Sequence, residues 1–163
     1  MNAKLLIPIA CSLLLMVCGC GTLRSGSESK EEKIRQVHDF LKQTKVYYLA
    51  TVDGDRPRVR PFGTVLVFEG KLYIQTGRKK NVSKQIGKNP KVELCAFNGK
   101  TWLRLSGKLI DDPRLAPKAA MLDAYPELRK MYKLEDPNTQ VLYFKDAEAV
   151  FYSFDRKPVV LKF

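Results

Sequence analysis

The feature that most constrains this chain is a series of short runs, rich in β-branched and aromatic residues, each closed by a tight turn signal. Val46–Val52 ends at Asp53-Gly54-Asp55, Arg58–Phe68 at Glu69-Gly70, Leu72–Thr76 at Gly77, and Val92–Phe97 at Asn98-Gly99. Runs of this kind read as strands, and connections so short favour antiparallel hairpins over parallel crossovers. Beyond Asn98-Gly99 the sequence alternates, placing Leu103, Leu105, Gly107 and Leu109 on one face and Trp102, Arg104, Ser106 and Lys108 on the other. That is a half-buried strand with a polar or functional outer face. Further strands are predicted over Gln140–Phe144, Ala147–Phe154 and Pro158–Phe163. Six or more strands with short helices between them predict a mainly β (α+β) domain: a closed or nearly closed antiparallel barrel with short peripheral helices.

The helical signals are few. Ser29-Lys30-Glu31-Glu32 has capping-box spacing, and Ile34, Val37 and Leu41 follow at helical intervals, which predicts a helix from about Lys30 to Gln43. Val82 and Ile86 stand one helical turn apart before Asn89-Pro90 stops that helix. From Asp112 to Leu134 the period is again helical, with Pro113 near an N-terminus, Leu115, Ala119, Leu122, Leu128 and Met131 on stripes, and Pro126 starting a second short helix.

The 163 residues divide into an N-terminal segment, 1–20, a Gly/Ser-rich tether, 21–29, and one domain, 30–163. The segment has Lys4, an apolar stretch Leu5–Val17, and then Cys18-Gly19-Cys20. The stretch is shorter than the roughly 20 residues that cross a bilayer, and the pattern reads as an export signal. Val17-Cys18-Gly19-Cys20 resembles the lipobox of bacterial lipoproteins, with Cys20 as the lipidated residue; the alternative is an uncleaved N-terminal anchor. Both place the domain at the cell envelope, held to a membrane outside the cytoplasm. Cys95 is the only cysteine after residue 20, so no internal disulfide braces the domain.

The chemistry is narrowed largely by exclusion. A single histidine, His38, and a single cysteine in the domain cannot build a multi-histidine site or a zinc knuckle, and the sequence contains no nucleophile elbow and no Walker loop. His38 reads as a structural residue beside the helix stripe. No catalytic side chain and no metal ligand is predicted. The 29 Lys and Arg residues against 17 Asp and Glu favour an anionic partner. The basic loop from Gln75 to Ile86 precedes a helix beginning near Asn81, whose free N–H groups and positive dipole end suit a phosphate, with Thr76, Lys80 and Lys84 alongside. By composition alone the same loop also reads as a solvated basic turn. An exported protein rarely meets nucleic acid, and none is expected as a partner.

An ordered set of segments carries a family resemblance. Tyr48–Gly54, Pro57–Phe62, Leu72–Thr76, Asn81–Ile86, Asn89–Glu93, Trp102–Gly107 and Tyr152–Phe154 together resemble the FMN-binding split β-barrels related to pyridoxamine 5'-phosphate oxidase, over about Glu32 to Phe163. The resemblance implies FMN as cofactor and a homodimer with flavin sites across its interface. It implies that the strand from Arg60 to Gly63 runs beside the isoalloxazine ring, with Arg60, Pro61 and Phe62 as the contributing residues. Gln75 and Thr76 are then implied to reach the ring edge or ribityl phosphate, and Lys80, Asn81 and Lys84 to hold the phosphate. Trp102 is implied to contribute from the second subunit, beside an equal reading as a packing tryptophan. Where the oxidase branch carries an Arg-Lys pair this chain has Asn81-Val82, and the oxidase's Arg-x-His substrate motif has no counterpart, which argues against vitamin B6 oxidation. The expectation is a flavoprotein oxidoreductase acting on an unidentified small molecule, with a non-catalytic flavin- or haem-binding module as the alternative.

Overall fold

A computed structural model describes residues 28–163. The export segment, Cys18, Cys20 and the tether up to residue 27 lie outside the described residues. None of the described helices is long and apolar enough to cross a membrane. The elements in chain order are α1 (Lys30–Thr44), β1 (Tyr47–Asp53), β2 (Arg56–Phe62), β3 (Leu66–Phe68), β4 (Lys71–Gly77), α2 (Asn81–Lys88), β5 (Lys91–Phe97), β6 (Thr101–Asp112), α3 (Leu115–Ala124), a 3₁₀ turn (Pro126–Lys130), β7 (Thr139–Ser153) and β8 (Val159–Lys162).

The strands form one eight-stranded antiparallel sheet in the order β2-β1-β5-β6-β7-β4-β3, with β8 also on β7. Tyr47 and Leu49 of β1, Leu94 and Ala96 of β5, and Leu103, Leu105 and Leu109 of β6 are buried on the inner face. Ile34, Val37 and Leu41 of α1 pack into the same core cluster, so the amphipathic first helix closes the barrel that the sheet leaves open. Its capping box is present as predicted, with Ser29 and Glu32 each accepting the other's backbone N–H. This is the split-barrel fold.

Three expectations require correction. The single run Arg58–Phe68 is two strands, because Gly63–Val65 leaves the ladder between β2 and β3. The two strands expected over Gln140–Phe144 and Ala147–Phe154 are one 15-residue strand that passes through the apparent turn at Asp146. Asp146 has a left-handed φ of 52°, and opposite it the β6–β7 register shifts between Ser106 and Lys108, so the bend is a bulge within continuous pairing. Gly107 is needed there, since a Cβ would come within 3.2 Å of the Lys145 carbonyl and 3.3 Å of Ala147 Cα. The helical stretch after Asp112 is shorter than its stripe suggests. Pro113 lies before α3, and Leu115 and Met131 are exposed.

The start of α3 is fixed by charge. Buried Asp112 accepts hydrogen bonds from Tyr73 Oη at 2.9 Å and Arg114 Nη2 at 2.8 Å, and Arg114 Nη2 also reaches Glu69 Oε2 at 2.9 Å. The Arg114 hydrogen bonds, and after them that from Tyr73, hold the Asp112 carboxyl at about 2 against an ordinary 3.8. A carboxyl depressed in the folded state contributes stability that is complete above its ordinary value and is lost as pH falls toward its folded one. Asp112→Asn should therefore lower stability by about 2 kcal/mol at neutral pH and flatten the stability profile between about pH 4 and 2. Denaturant titrations across that range test this, and a variant retaining the parent's acid limb refutes it.

Candidate functional site

The edge of β2, the end of β4, the start of α2 and the 3₁₀ turn enclose a cleft of about 200 Å³. It is lined by Arg60, Pro61, Phe62, Gly63 and Thr64 from the β2 side, Gln75 and Thr76 from β4, Lys80 and Val82 at the head of α2, and Leu128, Met131 and Tyr132 beyond α3. Six residues singled out from the sequence thus come together: Arg60, Pro61, Phe62, Gln75, Thr76 and Lys80. Asn81 and Lys84, on the exposed side of the first turn of α2, do not line the cleft. Neither does Trp102, which stands on the outer face of β6 with its ring 5.2 Å from that of Tyr152, nearly parallel at 9°.

Arg60 is held rather than free. Its Nη1 donates to Thr51 Oγ1 at 2.7 Å and its Nη2 to Gln85 Oε1 at 2.7 Å, while Thr51 Oγ1 donates to the same Gln85 oxygen. Burial, with the neighbouring Arg58 charge, draws its guanidinium below its ordinary value. A cation oriented by β1 and α2 presents a fixed charge to the cleft without needing to reorganise.

The head of α2 is built by its neighbours. Arg78 N donates to Asn138 O at 2.9 Å, Lys79 N to Asn138 Oδ1 at 3.0 Å, and Lys80 N to Gly77 O at 3.0 Å. Lys80 is the N-cap in an extended conformation, and no side chain caps the helix. The first-turn N–H groups therefore have no side-chain competitor for an anion, and the Lys80 ammonium, 5.9 Å from the Tyr132 ring centroid, stands beside them.

Gln75 is 6% exposed, and neither Nε2 nor Oε1 of its side chain finds a hydrogen-bond partner among the described residues. An unsatisfied buried amide costs roughly 1–3 kcal/mol. It offers a donor and an acceptor side by side to a ligand with the complementary edge. Leu128 and Met131 were expected only on a helical stripe and Tyr132 was not singled out; the 3₁₀ turn and the residues just after it place all three at the cleft. Gly63 and Thr64 carried a signal in directly following Arg60-Pro61-Phe62.

The outer face of the sheet joins this cleft. Pairing registers align Pro61, Tyr48, Cys95, Arg104, Val150 and Val160 in one row, and Phe97, Trp102 and Tyr152 in the next. Tyr48, Phe97, Val160 and the 85% exposed Phe154, whose ring lies 5.2 Å from Trp102, make this face strongly apolar. Pro61 belongs both to the first row and to the cleft wall.

Residues 34–149 match the pyridoxamine 5'-phosphate oxidase family. The chain is similar to the crystal structure of a NimC/NimA family protein from Clostridium acetobutylicum, at 41% identity and a TM-score of 0.80 over 82% of this chain and 94% of that one. It shares its fold with a pyridoxamine 5'-phosphate oxidase-related, FMN-binding protein from Nostoc punctiforme, at 16% identity and a TM-score of 0.54 over 79% and 94% of the two chains. A heme-binding protein from Mycobacterium smegmatis shares it too, at 14% identity and a TM-score of 0.62 over 84% of this chain and 59% of that one. None of the curated proteins matches the chain.

The unpaired amide of Gln75 yields a direct test. Gln75→Leu, which keeps the shape and removes the orphaned polar atoms, should stabilise the ligand-free protein by about 1 kcal/mol. Chemical denaturation measures this, and a destabilised variant would show that Gln75 is paired in solution.

Proposed function

From the premise that this chain belongs to the pyridoxamine 5'-phosphate oxidase-like family, we propose that it is an FMN-binding oxidoreductase whose flavin site is completed by a second copy of the chain. The observation that carries the reading is the orphaned Gln75 amide, buried in the same cleft as the fixed Arg60 charge and the phosphate-suited head of α2. FMN, when bound, supplies the electron transfer. The chain's own residues bind and orient it. Lys80 and the first-turn N–H groups of α2 hold the phosphate, with Lys84 and Asn81 adding charge and polarity from the helix exterior. Gln75 and Thr76 face the flavin's polar edge. Arg60, flanked by Pro61 and Phe62, favours negative charge on the ring, and Leu128 and Met131 exclude water from it.

The size of the cleft supports the dimer. At about 200 Å³ it falls below the roughly 300–1,000 Å³ of sites that enclose a whole small ligand, so one chain supplies only part of the enclosure. The apolar outer face starts at the cleft wall, and a two-fold partner covering it would shield Tyr48, Phe97 and Phe154 and carry Trp102 toward the other subunit's cleft. Haem is the weaker ligand here: His38 lies on α1 with Nδ1 2.8 Å from Asp39 Oδ1 and does not line the cleft. The lipid anchor at Cys20 and the envelope location complete the proposal. The small-molecule substrate and electron donor are unassigned.

Protein from residue 21 onward should purify with a flavin absorption spectrum and bind FMN more tightly than riboflavin, and Lys80→Ala with Lys84→Ala should weaken FMN by about tenfold or more while affecting riboflavin far less. Equal affinities for the two flavins in the parent would defeat the phosphate assignment. Sedimentation at low micromolar concentration should give a dimer; a monomer holding one FMN per chain would refute the shared site. Fatty-acid labelling of the full-length protein should be abolished by Cys20→Ala and survive Cys18→Ala.

A further inference from the structure

Tyr125 lies outside the cleft lining, yet its contacts converge on it. It is the residue between α3 and the 3₁₀ turn, with φ −137° and ψ 72°, and Pro126 after it keeps its backbone out of the helical region. Its hydroxyl donates to Val65 O at 3.0 Å and accepts from Val65 N at 2.9 Å. It accepts a further bond from Lys42 Nζ at 3.2 Å, and that ammonium sits 4.4 Å from the ring centroid. One donor and two acceptor positions exhaust what a phenol hydroxyl offers.

This side chain stands where a strand would otherwise be. Gly63–Val65 belongs to neither β2 nor β3, so the sheet ladder does not pair its backbone. Tyr125 pairs both backbone groups of Val65. The adjacent Thr64 is held twice more: its carbonyl accepts from Tyr47 Oη at 2.7 Å, and its Oγ1 accepts from Gln75 N at 3.0 Å. Gly63, Thr64 and Gln75 line the cleft. A path therefore runs from Lys42 through Tyr125 to Val65 by hydrogen bonds, across the peptide bond to Thr64, and by a further hydrogen bond to the backbone of Gln75.

We infer that Tyr125 is a positioning residue of the site, fixing Gly63–Thr64 and, through Thr64, the buried amide of Gln75 at the ring end of the bound flavin. This rests on the flavin reading above. The path does not include Lys80 or the head of α2, which are anchored separately through Asn138. Tyr125 thus acts on recognition of the ring and leaves recognition of the phosphate to the other anchor.

The test is a titration of the parent, Tyr125→Phe and Lys80→Ala with FMN and with riboflavin, following affinity and the visible absorption band of the bound flavin. Tyr125→Phe removes the hydroxyl and keeps the ring. It should weaken both flavins by the same factor, roughly tenfold, and alter the visible band. Lys80→Ala should cost FMN far more than riboflavin and leave the band as in the parent. Tyr125→Phe with parental affinities, even at a lowered Tm, overturns the inference, as does a loss confined to FMN. Should that variant fail to fold, Lys42→Met carries the test, with a loss of about two- to threefold on both ligands expected and unchanged affinities overturning it. A parent that binds neither flavin defeats the flavin reading itself, whereas a parent that binds both beside an unaltered Tyr125→Phe defeats the positioning role alone.

Discussion

Strand β7 is hydrogen-bonded along both of its edges, and the rest of the barrel depends on that double pairing. Nearly its whole length faces β6, while its first half pairs with β4 and its second with β8 on the other edge. One strand can serve two partners on one edge only by bending between them. The left-handed Asp146 and the glycine at 107 opposite allow the bend without breaking the ladder. The bend turns the sheet back on itself and creates the interior that Ile34, Val37 and Leu41 of α1 close.

The cleft forms where this closure is incomplete. Arg60 comes from β2 and Gln75 from β4, strands far apart in the sheet order that face each other across the split. Among the described residues no hydrogen-bonded ladder spans that gap, and the site is held by side chains. Thr51 and Gln85 hold Arg60, Tyr47 and Tyr125 hold the laddering-free segment Gly63–Val65, and Asn138 holds the loop before α2. The side-chain amide of Gln75 is the exception, unpaired among the described residues. A buried amide left in that condition is a cost to the fold, which the proposed flavin site would offset.

The outer face follows from the same architecture. Away from β4 and β7, where α3 packs a second cluster of Tyr73, Met121 and Val141, the outer face of the sheet meets solvent, and polar side chains are expected there. Glu93, Arg104 and Lys108 meet that expectation, while Tyr48 and the neighbouring Phe97, Trp102 and Phe154 depart from it. Pro61 joins that face to the cleft, so the proposed partner would meet both at once.

Local pattern determined β1, β4, β5 and β6, the first helix with its capping box, the β5–β6 hairpin and the basic loop ahead of α2, because each rests on interactions between near neighbours. The resemblance carried by spaced segments added the split barrel and half of the cleft lining: Arg60, Pro61, Phe62, Gln75, Thr76 and Lys80. The continuity of β7 was hidden because Lys145-Asp146 looks like a turn in sequence, and only pairing to β6 on the far side makes it a bulge. A short helix starting at Pro126 was legible, but its place over the cleft was not, because the residue before it, Tyr125, is held by Val65, some 60 positions away. Only the tertiary structure decided those placements, and only it separated Lys80, which faces the cleft, from Asn81 and Lys84, which do not. Sequence spacing puts residues on one loop, but the side of the loop that meets a partner is set by what packs against it.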